Sequence, residues 1–145
     1  LNLLKVLLRF LEKLKNLVDR LQSANIPVSL FIDADESQIK ASADTQAKFI
    51  ELHTGKYADA PNPEIRQKEW ESLKLGCEQA LNLGLRVNAG HGLTYINVYP
   101  VGCLPGMEEL NIGHTIVSRA VLVGMERAVK EMKLAMRGEF WIINY

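Results

Sequence analysis

The chain has 145 residues, 48% of them hydrophobic and 23% charged, which is the size and composition of one globular domain and excludes an intrinsically disordered segment. Lysine plus arginine and aspartate plus glutamate stand at 17 each, so no basic excess points to nucleic acid. No apolar run reaches the ~20 residues of a membrane-spanning helix. A secretory leader pattern is not recognisable either, so no membrane partner is expected and the expected setting is cytoplasmic. Leu1 in place of Met reads as a fragment or a processed chain.

A first helix is predicted over about residues 3–24, with Leu7, Leu11, Leu14, Val18 and Leu21 on one stripe. Asn25 can take the left-handed conformation at its end, and Pro27 prevents continuation. Residues 28–32 (V-S-L-F-I) read as a short strand, after which Asp35 and Gln38 resemble a capping box opening a helix to about Ala43. Residues 49–53 are a second strand. Asn62 followed by Pro63 starts a helix whose apolar face carries Trp70, Leu73, Cys77, Ala80 and Leu81. Gly84 ends it, and residues 85–89 form a third strand. A turn-rich stretch with Pro100 and Pro105 follows, then a fourth strand at 109–112. One last helix is predicted from the spacing of Val121, Met125, Ala128, Val129, Met132 and Ala135. Cys77 and Cys103 have no metal-ligand or C-x-x-C spacing and read as two reduced thiols.

A helix followed by four strand-helix units argues for an α/β fold with a parallel sheet and right-handed crossovers. A closed TIM (β/α)₈ barrel takes about 250 residues, so four units are either a small open sheet or half a barrel. The spacing leaves both open.

All three histidines follow short apolar or β-branched runs and have glycine close by: His53-Thr54-Gly55, Gly90-His91-Gly92 and Gly113-His114. Ligands bind at the carboxyl ends of parallel strands, where loops converge and helices present free N–H groups. Glu51 joins the imidazoles at that rim. Gly92, Gly113 and His114 fall in the last two strand-helix loops, where barrels often hold phosphate; alternatively the glycines only permit tight turns. His91 suits proton transfer, or is an exposed turn residue. Glu51 and His53 lie two apart on one strand and project to one side, as an acid–imidazole pair inside the barrel mouth or as helix-packing or solvated groups outside it. Asp33 and Asp35 lack a third ligand at useful spacing, so no metal is expected. Lys56 and Arg119 lie near the same rim and could assist an anion, or be solvated.

The strings V-S-L-F-I-D-A-D-E, F-I-E-L-H-T-G-K-Y-A-D-A, V-N-A-G-H-G-L-T-Y and E-L-N-I-G-H, in this order, closely resemble the carboxy-terminal half of the pyridoxine 5′-phosphate synthase family, over about residues 26–136. The resemblance implies a (β/α)₈ barrel, here its last four strand-helix units. It also implies condensation of 3-amino-2-oxopropyl phosphate with 1-deoxy-D-xylulose 5-phosphate, giving pyridoxine 5′-phosphate, phosphate and water. By the same resemblance His91 matches the proton donor, Glu51 the carboxylate that stabilises the transition state, and Gly92, Gly113 and His114 the holders of the amino-ketone phosphate. His53 is a possible additional site residue. No cofactor is implied, since the chemistry is a series of proton transfers.

The departures matter equally. The family's first four strands carry a histidine and a glutamate acting as bases, with an arginine, and no part of the chain matches them. Residues 1–20 keep a helical pattern but little family sequence, Gln46 stands where the family usually has glycine, and F-W-I-I-N-Y at 140–145 is foreign to its ending. The chain is thus expected to be one partial barrel domain, with a leading helix at 1–24 and an atypical tail at 138–145. As an enzyme of this family it should be incomplete alone. The alternative is a non-catalytic phosphate-binding or structural half-barrel that pairs with itself, as a homo-oligomer, or with a separate first half; Val6, Phe10 and Leu17 on the first helix favour such association. An unrelated barrel enzyme holding phosphate at the same loops is a third reading.

Overall fold

A computed structural model of the chain describes residues 3–140, with side chains from Phe10 onward. The side chains of Val6 and Leu7, and the tail beyond Phe140, lie outside the described residues. The elements run α1 (Leu3–Ser23), β1 (Ser29–Ile32), α2 (Glu36–Asp44), β2 (Phe49–His53), α3 (Gly55–Ala58), α4 (Pro63–Asn82), β3 (Arg86–Gly90), α5 (Val98–Gly102), β4 (Met107–Asn111), α6 (His114–Val123) and α7 (Met125–Ala135). The four strands are parallel and lie in chain order, β1-β2-β3-β4. Sequential parallel order with a helix after each strand is the arrangement of one half of a (β/α)₈ barrel.

Local chemistry accounts for the boundaries. Asn25 has φ +60°, ending α1 in the left-handed conformation that asparagine tolerates. Asp35 caps α2, its carboxylate accepting from the N–H groups of Ser37 and Gln38. Gln38 does not close a reciprocal box on Asp35; its side chain accepts from the Asp33 N–H, 3.1 Å away, and pins the end of β1. Asn62 caps α4 at Ile65 N–H (2.9 Å), with Pro63 in the first turn. Gln46 takes φ +64° in the approach to β2, the backbone region where a side chain is strained and glycine is not.

Period-two burial sorts the sheet. In β2, Ile50 and Leu52 are fully buried against the helices, whereas Phe49, Glu51 and His53 alternate to the other face. Val87 and Ala89 extend the buried face into β3, where they pack with Ile39, Leu73, Cys77 and Ala80 of α2 and α4. Burial pushes the Cys77 thiol up to about 12, so it is inert; Cys103 is free and exposed. The opposite face is only half-covered: Phe31, paired in register with Glu51, is 57% exposed.

Four expectations are corrected. The turn-rich stretch contains a short helix, α5, pinned from α4 by Trp70 Nε1, which donates to Pro100 O (2.9 Å). The last helix is two: Gly124 (φ +83°) breaks it, so Val121 is left 82% exposed while Ala128, Met132 and Ala135 pack inward. Leu81 likewise is exposed rather than part of the α4 core face. β4 begins at Met107, two residues before the predicted start, because a register shift beside Val87 and Asn88 lets Glu108 bulge out and meet Arg86.

Glu131 is buried on α7 and receives Arg119 of α6 at 2.7 Å and Arg127 at 2.8 Å. Hydrogen bonding from Arg119, then Arg127, holds its carboxyl below the usual range, so its stabilisation is present above the ordinary carboxylate pKa and is lost as pH falls through the depressed value. Glu131→Gln should therefore cost about 1–2 kcal/mol in urea denaturation at pH 7. That difference should shrink once pH falls below about 4; an undiminished difference there would count against this pairing.

Candidate functional site

β2, β3 and β4 end at one rim. In register, Glu51 lies beside Asn88 and His53 beside Gly90 on β3, and Gly90 lies beside Asn111 on β4. A cleft of about 530 Å³ opens there, lined by Glu51, His91, Gly92, Asn111, Gly113 and His114 among others. The fold thus gathers five of the residues singled out from the sequence around one space.

Glu51 reaches across β3 to β4, where Asn111 Nδ2 donates to its Oε2 at 2.7 Å. That reach requires a glycine between them. A Cβ at Gly90 would collide with Glu51 Oε1 and stand 2.9 Å from Asn111 O. Two residues inward, Asn88 is buried, and its Oδ1 is the buried side-chain oxygen without a hydrogen-bond partner among the described residues.

His91 is exposed and has φ +86°, between Gly90 and Gly92 (φ +74°). Gly113 caps α6 without a side-chain bond, so the first-turn N–H groups from His114 onward are uncapped beside the cleft. Gly113 itself has no left-handed backbone, and a Cβ there would meet open space. Its lack of a side chain leaves room rather than relieving strain.

His53 stands apart from the 530 Å³ cleft. Its Nδ1 is 3.8 Å from Asp33 Oδ1, and its ring lies edge-on to Phe31 and 4.6 Å from the His91 ring. The expected Glu51–His53 pair does not form, since Glu51 is bonded to Asn111 and His53 is drawn toward Asp33. Lys56 also binds Asp33 (3.1 Å), and Arg119 is committed to Glu131. Neither cation is therefore free at the cleft. Asp33 and Asp35 serve these pairings and the α2 cap, and no group of three potential metal ligands gathers among the described residues. Asn111 was missed from the sequence, although its position at a strand end one step before Ile112-Gly113-His114 was the available signal.

A larger cleft, about 780 Å³, opens at the amino ends of the strands beside Gln22, Gln46, Lys48 and Arg86. Arg86 is bidentate to Glu108 and lies over the Phe49 ring at 4.3 Å. Its charge is already matched. In barrels this end carries stability rather than chemistry.

The model of the family "Pyridoxal phosphate biosynthesis protein PdxJ" matches residues 5–138. The match begins well before the strings quoted above and takes in α1. Among curated relatives, the pyridoxine 5′-phosphate synthase of Crocosphaera subtropica is 94% identical over 129 residues, covering 89% of this chain and 54% of that protein. The same-named protein of Gloeothece citriformis is 75% identical over 122 residues, covering 84% and 51%, and that of Synechocystis 68% over 128, covering 88% and 53%. The chain spans about half the length of the curated relatives it matches. No helix among the described residues is long and apolar enough to cross a membrane.

The two glycines differ in what they permit, and stability measurements should separate them. Gly90→Ala should cost about 1–3 kcal/mol, as overpacking does, whereas Gly113→Ala should stay within about 0.5 kcal/mol of the parent. Urea titrations followed by circular dichroism check both, and equal costs would contradict the geometry described for Glu51 and Asn111.

Proposed function

The chain belongs to the PdxJ family, and from that premise we propose that it supplies the acid and the phosphate cradle of a pyridoxine 5′-phosphate synthase. The reaction joins 3-amino-2-oxopropyl phosphate to 1-deoxy-D-xylulose 5-phosphate and releases phosphate and water. The observation that carries this reading is the meeting of Glu51, His91, Gly92, Gly113 and His114 at one cleft. A phosphate there is held by the uncapped N–H groups opening α6, by the backbone at Gly92 and by His114. His91, exposed beside them, gives up a proton to the departing oxygen, as an imidazole near neutral pH is suited to do. Glu51, fixed by Asn111, stabilises positive charge as it builds on the bound amino ketone. His53 stands behind His91 rather than on the substrate. The partners are small phosphorylated molecules in a cytoplasmic setting, and the steps are proton transfers that call for acid and base groups, not a metal.

Residues 1–145 act as one partial barrel domain, with the leading helix at 1–24 and the tail at 138–145 outside the catalytic part. The bases that the family resemblance assigns to the first four strands have no counterpart in these residues, so the chain alone does not complete the reaction. One observation favours a partner: the Glu51 face of the sheet is open, with Phe31 57% exposed and β1 and β4 as edges left unpaired among the described residues. The first half of the barrel, or a second copy, covers that face. In the second reading the chain is a phosphate-binding half-barrel with no chemistry of its own.

The purified chain, assayed with both substrates, should form no pyridoxine 5′-phosphate at a rate typical of enzymes, and sedimentation at micromolar concentration should show association. Product at such a rate from the chain alone, or a stable monomer, would each refute the corresponding part. Product on mixing with the first half separates the synthase from the non-catalytic reading.

A further inference from the structure

Thr54 occupies the N-cap of α3 but makes no side-chain capping bond there. A threonine at that place ordinarily turns its hydroxyl to the first-turn N–H groups of its own helix. Here the hydroxyl is turned the other way, to the loop after β3: Oγ1 lies 2.7 Å from Gly90 O and 2.5 Å from His91 O. The Thr54 N–H also donates to Gly90 O at 2.9 Å. Thr54 is fully buried, so these contacts are shielded from competing water.

The peptide it grips is the unusual one. His91 has φ +86° with a full side chain, a conformation L-residues rarely hold without outside support. The ring is then braced from below, packed at a tilt of 36° with its centroid 4.6 Å from that of His53 and lying over Gly55, where a Cβ would stand 3.1 Å from His91 Cδ2 and 2.6 Å from His53 Cε1. Three consecutive residues, His53, Thr54 and Gly55, touch His91 or its peptide, and none of the three lines the phosphate cleft.

We propose that Thr54 is a positioning residue for His91: its buried hydroxyl holds the Gly90 and His91 carbonyls so that the His91 backbone stays left-handed and its imidazole stays against Gly55 at the cleft mouth. This rests on the reading of His91 as the proton donor. The hydroxyl is the decisive group, since Thr54→Val keeps the shape and removes it, while Thr54→Ser keeps it and removes only a methyl.

The test is a proton NMR measurement of the cross-relaxation peak between the His91 ring and the Gly55 α-protons in the purified chain. Thr54→Ser should keep that peak within a factor of two of the parent, and Thr54→Val should lose at least fivefold of its intensity with the amide spectrum elsewhere unchanged. A peak retained in Thr54→Val, or lost in a folded Thr54→Ser, would overturn the proposal. Should Thr54→Val fail to fold, it should fold again in a His91→Gly background, where the left-handed backbone needs no support; failure in both backgrounds would equally overturn it. Separately, inorganic phosphate is titrated into the parent chain: no shift of the His91 and His114 signals would sink the phosphate reading while leaving the Thr54 result to stand on the peak alone.

Discussion

The in-register pairing of β2 with β3 is the constraint on which the site depends. Because Glu51 lies beside Asn88 and His53 beside Gly90, the two strands end level, and the residues that follow them, Thr54 and His91, meet at one height. A slip of one residue would turn Glu51 into the core and bring Leu52 to the rim. Ile50 and Leu52, both fully buried, make that slip costly, so the apolar face that stabilises the sheet also fixes where the carboxylate stands.

Gly90 converts that register into a connected site. With no side chain at the end of β3, the Glu51 carboxylate passes over it to Asn111, and one hydrogen bond spans from β2 to β4. The charges around the rim divide in the same economical way. Lys56 is taken by Asp33 and Arg119 by Glu131, which leaves the His91 and His114 imidazoles, backbone N–H groups, Asn111 and the Glu51 and Asp59 carboxylates as the polar groups that line the cleft.

Much of this was legible in the residues. β2 was placed to the residue, and the caps at Asp35 and Asn62 and the turn at Asn25 announced themselves through side chains with one favoured role. The glycine-flanked histidines pointed to the rim because glycine and imidazole mark places where backbone must approach something. What remained hidden depended on partners distant in sequence. Nothing local says that Gly124 breaks the last helix, since periodicity runs on through it and only the α6–α7 packing, tied by Glu131, shows that two helices are needed. The partner choices were equally invisible: Glu51 takes Asn111, sixty residues on, and not the neighbouring His53. The Thr54 hydroxyl, at the N-cap of α3, likewise serves the loop after β3.

The central claim is that phosphate binds where β3 and β4 end, and not at the larger cleft beside Lys48 and Arg86 at the opposite end of the sheet. A crystal structure of the chain grown with inorganic phosphate tests it most directly. The account predicts phosphate density against the backbone at Gly92, Gly113 and His114, with Glu51 still bonded to Asn111. Density confined to the Lys48–Arg86 end, with the histidine rim free of phosphate, would contradict it.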